Sequence, residues 1–116
     1  MTLPQMRNRI PFWQQALKLQ DWTITIRWAT AKESVECMGL NYFSVEEQES
    51  VVAISRKCSP SEREETVVHE LLHLLFDGHT PVDPDKYDPL HERALNQTAK
   101  ALMSLAYKTD PPAPSE

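Results

Sequence analysis

The run Thr66-Val67-Val68-His69-Glu70-Leu71-Leu72-His73-Leu74-Leu75 constrains this chain more than any other stretch. Apart from His69, Glu70 and His73, every member is uncharged, and all but Thr66 are aliphatic. Such a run reads as a buried helix, and a buried helix cannot carry three polar side chains on one face without compensation. Histidines four residues apart lie one above the other on a helix, so both imidazoles can turn to one metal ion. Glu70 projects on the same side, where it can hold and deprotonate a metal-bound water. Core histidines satisfied by ordinary hydrogen bonds are the blander reading, but a metal ion compensates all three side chains at once.

The flanking sequence frames that helix. Ser59 is placed to cap it, Pro60 suits its first position and Glu62 completes a capping box. Glu62, Glu64 and Glu65 read as a solvated first turn at the positive end of the helix dipole, and Gly78 after Asp77 reads as its stop. Near the start, residues 2–5 suggest a short capped turn, and Pro11 is expected to interrupt any longer helix. From Pro11 onward, Phe12, Trp13, Ala16, Leu17 and Gln20 form a stripe at helical spacing.

Three strands are expected between the two helices. Over 22–28, Trp22, Ile24, Ile26 and Trp28 alternate with polar residues, a period of two. Over 36–43, Met38, Leu40 and Tyr42 alternate with Cys37, Gly39 and Asn41. An acidic turn over 45–50 then leads to the β-branched run 51–55. Their short connections predict an antiparallel meander. Residues 78–88 read as a loop, and a last helix is expected over 90–107 with Leu95, Ala99, Leu102 and Ala106 on one face. Residues 109–116, with three prolines, read as a disordered tail.

The whole is one α+β domain over residues 1–108, since 116 residues suffice for one core but not two. A net charge of −5 without a cluster of lysines and arginines gives no footprint for nucleic acid. No apolar run approaches the length of a membrane span, and the first residues lack a signal-peptide core. A cytoplasmic protein, or one exported by other means, is the expectation, monomeric and without membrane partners. Cys37 and Cys58 have no metal-binding spacing and read as free thiols of a reducing compartment.

His69-Glu70-x-x-His73 is the arrangement used by zinc metallopeptidases. A catalytic zinc takes three protein ligands and leaves one position open, so a third ligand is needed. His79, His91 and Glu92 are the candidates. His79 stands ten residues after His69, as in the metzincins, but Phe76 occupies the place where that family requires glycine. His91 lies on the downstream helix, as does the third histidine of SprT-like proteases, but Glu92 stands where their His-Gly pair has glycine. Glu92, followed four residues later by Asn96, resembles the glutamate helix of the thermolysin-like gluzincins, and Asp77 matches the aspartate that steadies their second histidine.

As a whole the chain resembles the minigluzincins and small phage-encoded metallopeptidase-like proteins. That resemblance implies a zincin-like minimal domain: an N-terminal helix, a small, mainly antiparallel sheet of about three strands, the motif helix and a C-terminal helix bearing the glutamate. It further implies one Zn2+ ion on His69, His73 and Glu92, with Glu70 as general base and Asp77 and Asn96 orienting the two histidines. His79, His91, Tyr42 and Tyr87 are the available donors for an oxyanion. One strand, not identifiable from sequence, would pair with an extended substrate at the rim of the cleft. The expected function is a zinc-dependent peptidase acting on a peptide or protein. The alternatives are a zinc-binding interaction protein that cleaves nothing, such as a phage effector, and a SprT-like protease with a histidine third ligand.

Overall fold

Helix formation begins at Thr2, whose hydroxyl accepts the amide of Gln5 while the Gln5 side chain accepts the amide of Thr2. In the computed structural model, which describes residues 1–35, 38–77 and 88–107, this capping box starts helix α1, Leu3–Leu17. The helix runs through Pro11 and so corrects the expectation of a break there. Proline removes one backbone bond and costs about 3 kcal/mol in a helix interior. Met6, Ile10, Trp13 and Leu17 are buried at helical spacing on both sides of it, and each contributes roughly 1.5–3 kcal/mol. Packing therefore outweighs propensity. Of the predicted stripe, Trp13 and Leu17 are buried while Phe12 and Ala16 face solvent.

Strands β1 (Thr23–Trp28), β2 (Gly39–Ser44) and β3 (Glu49–Ile54) form one sheet in the order β1-β3-β2. The α+β layout of three helices and a three-stranded sheet holds, but the strands do not form a meander. β2 and β3 make the expected antiparallel hairpin, whereas β3 pairs with β1 in parallel, Thr23 opposite Glu49 through Trp28 opposite Ile54. Residue burial explains the order. Val52, Ala53 and Ile54 are consecutive and have no exposed surface, which suits a strand covered on both faces and flanked on both edges. β2, with Tyr42 and Phe43 exposed, takes an edge.

A single 3-10 turn, Pro60–Glu62, leads into α2, Arg63–Asp77. The predicted capping box does not form there: the Ser59 hydroxyl meets that of Ser61, and the Glu62 amide bonds instead to the Ser59 carbonyl. Helix α3, Pro89–Tyr107, starts on Asp88, whose carboxylate accepts the amides of Leu90 and His91. α1 packs on β1, α2 on β2 and β3, and both α1 and α3 pack on α2. Val67, Val68, Leu71, Leu72 and Leu74 of α2 share one core with Ile26, Val52 and Ile54 of the sheet, Trp13 of α1 and Leu95 and Ala99 of α3. Cys58 is a buried free thiol. Cys37, Gly78, residues 78–87 of the loop expected over 78–88 and the tail over 109–116 lie outside the described residues. No helix among the described residues is long and apolar enough to cross a membrane.

Glu64 is not part of a solvated first turn. It is 5% exposed and accepts hydrogen bonds from Arg9 Nε at 2.8 Å, Trp13 Nε1 at 2.7 Å and the Tyr107 hydroxyl. One carboxylate thus ties α1 and α3 to α2. Burial pushes its pKa up, but the bonds from Tyr107, Arg9 and Trp13 together hold it below the usual value of 4.5. A carboxylate with a lowered folded pKa stabilises the fold above its unfolded pKa, and that contribution is lost as the pH falls through the folded value. Glu64→Gln is expected to cost about 2–3 kcal/mol at neutral pH. In urea unfolding, the gap between wild type and variant should narrow steadily below pH 4.5; a gap independent of pH would contradict the assignment.

Candidate metal centre

Helical spacing on α2 puts the rings of His69 and His73 4.9 Å apart, edge to face. Glu92, in the first turns of α3, reaches both: Oε2 lies 3.1 Å from His69 Nε2, and Oε1 lies 2.8 Å from His73 Nε2. The three donors belong to a group of the right type and spacing to hold a metal ion. A tetrahedral zinc ion with bonds of about 2.0–2.1 Å keeps its ligand atoms roughly 3.3 Å apart, and one ligand atom from each of the three residues lies within 4.8 Å of the others. Two imidazoles and a carboxylate also suit zinc chemically, although other first-row divalent ions accept the same set.

Burial and charge act differently on the two rings. Desolvation lowers the pKa of His69, reinforced by His73 and partly offset by Glu92 and Asn96. Desolvation also works against a charged His73, but the hydrogen bond to Asp77 and the charges of Glu70 and Glu92 raise it. Glu70 is 7% exposed, and desolvation with the nearby Glu92 carries its pKa up to about 7 despite His73. Among the described residues none donates a hydrogen bond to its carboxyl group. A divalent cation held by the adjacent trio would pull that pKa down.

Two further residues named from sequence meet the histidines as follows. Asp77 Oδ2 lies 2.6 Å from His73 Nδ1, the contact expected of it. Asn96 lines the same cleft and favours the protonated form of His69, but no hydrogen bond of ordinary geometry reaches His69 Nδ1, which is buried without a partner among the described residues. His91 does not turn to the histidine pair as a third ligand: its Nε2 lies 2.9 Å from Asp77 Oδ1. The Tyr42 hydroxyl is 2.6 Å from Glu33 Oε2 and the residue does not line the cleft, so it is no oxyanion donor in this arrangement. His79 and Tyr87 lie outside the described residues.

The cleft around the trio encloses about 600 Å³ and is walled on one side by Met38, Gly39, Leu40, Asn41 and Phe43. Three residues of that wall and its support carry a role that sequence pattern does not announce. Asn41 Nδ2 donates to the Glu70 carbonyl at 2.8 Å, and the buried Ser50 hydroxyl donates to Asn41 Oδ1 at 2.6 Å. β2 is thereby pinned to α2 at the level of Glu70. Gly39 permits the approach: a Cβ there would stand 2.8 Å from Thr66 Cγ2 and 3.2 Å from Glu70 Oε2. The only signal in the sequence is the lone glycine in a strand, which often marks close backbone approach.

Compared with known proteins, the chain matches no family model, no curated sequence and no solved structure. The donor set and its surroundings therefore carry the functional argument. The close approach of β2 and α2 makes its own prediction. Gly39→Ala should destabilise the protein by about 1–3 kcal/mol through overpacking, and Thr66→Ser, which deletes the nearest atom, should recover much of that loss in the double variant. Additive losses in urea unfolding would place the strain elsewhere.

Proposed function

We propose that this protein is a zinc-dependent peptidase in which His69, His73 and Glu92 hold the ion and Glu70 is the general base. The observation that carries the reading is the pairing of two features in one cleft. Glu92 brings one oxygen to each of two imidazole nitrogens, while Glu70, beside them on α2, is buried with no donor among the described residues. A zinc site serving structure alone would close its fourth position with another cysteine or histidine and would have no use for such a carboxylate.

When bound, zinc supplies Lewis acidity for the scissile carbonyl and makes its water acidic. The remaining tasks fall to side chains of this chain. Glu70 takes the proton of the attacking water and delivers it to the leaving amine. Asp77 keeps the Nδ1 proton of His73, so that Nε2 offers its lone pair to the ion. Gly39 and Asn41 keep β2 close against Glu70. β2 is an edge of the sheet and supplies one wall of the cleft, which supports it as the strand an extended peptide would pair with. The engagement of His91 by Asp77 argues against a histidine third ligand of the SprT-like kind.

Glu70→Gln tests the assignment directly. The variant should bind zinc as the wild type does, and its turnover of a peptide library should fall at least about 100-fold. Turnover within tenfold of wild type would remove Glu70 from the reaction. A wild type that binds zinc but cleaves no peptide would favour the interaction protein instead.

A further inference from the structure

Asp77 has two carboxylate oxygens and spends each on a different histidine. Oδ2 lies 2.6 Å from His73 Nδ1 and Oδ1 lies 2.9 Å from His91 Nε2, with the two rings 5.8 Å apart. We propose that His91 is a positioning residue that acts on the metal centre through Asp77, fixing the imidazole of His73 and the first turn of α3 in their zinc-binding arrangement. The proposal rests on the zinc reading of His69, His73 and Glu92 given above, and adds to it a residue that touches neither the ion nor the substrate.

The argument begins with proton placement. For His73 to give Nε2 to an ion, its proton must sit on Nδ1, and Asp77 Oδ2 is the acceptor there. A carboxylate held by one bond can rotate out of line with the ring. The second bond, from His91, removes that freedom.

Sequence position adds a second effect. His91 immediately precedes Glu92, and the amide of His91 is bound by the Asp88 carboxylate at the start of α3. Consecutive residues of one turn thus reach consecutive turns of α2: Glu92 to His69 and His73, and His91 to Asp77. The His91–Asp77 bond docks the start of α3 on the end of α2 from within the protein itself, and so helps to hold the third donor beside the two histidines.

His73, Asp77 and His91 also lie close enough together to hold a cation of their own. That use conflicts with the first. An ion on His73 Nδ1 while Nε2 served the Glu92 trio would require a fully deprotonated ring. A hydrogen-bonded bridge leaves the proton on His73 Nδ1, keeps Nε2 for the Glu92 trio and satisfies both oxygens of Asp77.

The test compares zinc dissociation constants, measured by competition with a chromophoric chelator, for wild type, His91→Phe, His91→Gln, Asp77→Ala and the double variant Asp77→Ala/His91→Phe. His91 is 37% exposed at its side chain, so replacement should leave the fold intact, which thermal unfolding of the metal-free variants checks. Loss of an outer hydrogen-bond partner typically weakens metal binding by about 10–100-fold. His91→Phe should therefore lose about tenfold or more, and shift the visible spectrum of the cobalt-substituted protein. His91→Gln, whose amide can donate to Asp77, should stay within about threefold of wild type. In the Asp77→Ala background the same Phe substitution should change affinity by less than about twofold, because the path through Asp77 is already cut. Wild-type affinity and an unshifted cobalt spectrum in His91→Phe would overturn the proposal, as would an equal loss with and without Asp77. If the wild type takes up no zinc, or keeps it after His69→Ala, the underlying zinc reading fails and the relay falls with it.

Discussion

Helix α2 places five ionisable side chains at or near the interior of a small domain, and the rest of the structure is arranged around their compensation. Glu64 is met by α1 and α3 together through Arg9, Trp13 and Tyr107. His69 and His73 are met by Glu92, and Asp77 divides its oxygens between His73 and His91. Glu70 alone has no donor among the described residues. An unpaired buried polar group is expensive, and proteins keep such groups where a ligand completes them. His69 Nδ1 is likewise buried without a partner among the described residues, and these unmet groups beside the donor trio are the physical basis of the reading as a catalytic centre.

The two ends of α3 serve different purposes on the same partner helix. Tyr107 at its end closes over Glu64 near the start of α2, while His91 and Glu92 at its beginning reach Asp77, His69 and His73. Between them Leu95 and Ala99 are buried in the core. The polar contacts at both ends set the register of α3 along α2, and apolar burial supplies the adhesion. On the opposite side of the cleft, Gly39 and Asn41 bring an edge strand against the same helix. A group of donors that could hold a metal ion is thus assembled between two helices, with a strand walling its cleft.

Much of the centre is legible in the amino-acid sequence, for a definite reason. His69, Glu70, His73 and Asp77 lie on one helix, where spacing along the chain translates directly into geometry. Glu92 requires the resemblance to gluzincins, because nothing local connects it to a residue nineteen positions earlier. His91 shows the limit: by sequence it is a possible ligand, and only the position of Asp77 on a neighbouring helix reveals its partner. Glu64 misleads because a glutamate in a first helical turn normally faces water, and its partners lie 43 to 55 residues away. The sheet order is hidden for a similar reason, although the unbroken apolar run Val51-Val52-Ala53-Ile54 carries the hint of a central strand. Pro11 misleads when propensity is weighed without the four buried side chains that hold α1 together.

The most direct measurement is the metal content of protein purified without chelator or histidine tag, taken for wild type and for Glu92→Ala. The account requires about one zinc per chain in the wild type, and a dissociation constant weakened by at least about 10-fold when Glu92 is replaced. Zinc bound at undiminished affinity by Glu92→Ala, or no zinc taken up by the wild type when the ion is supplied, would contradict it.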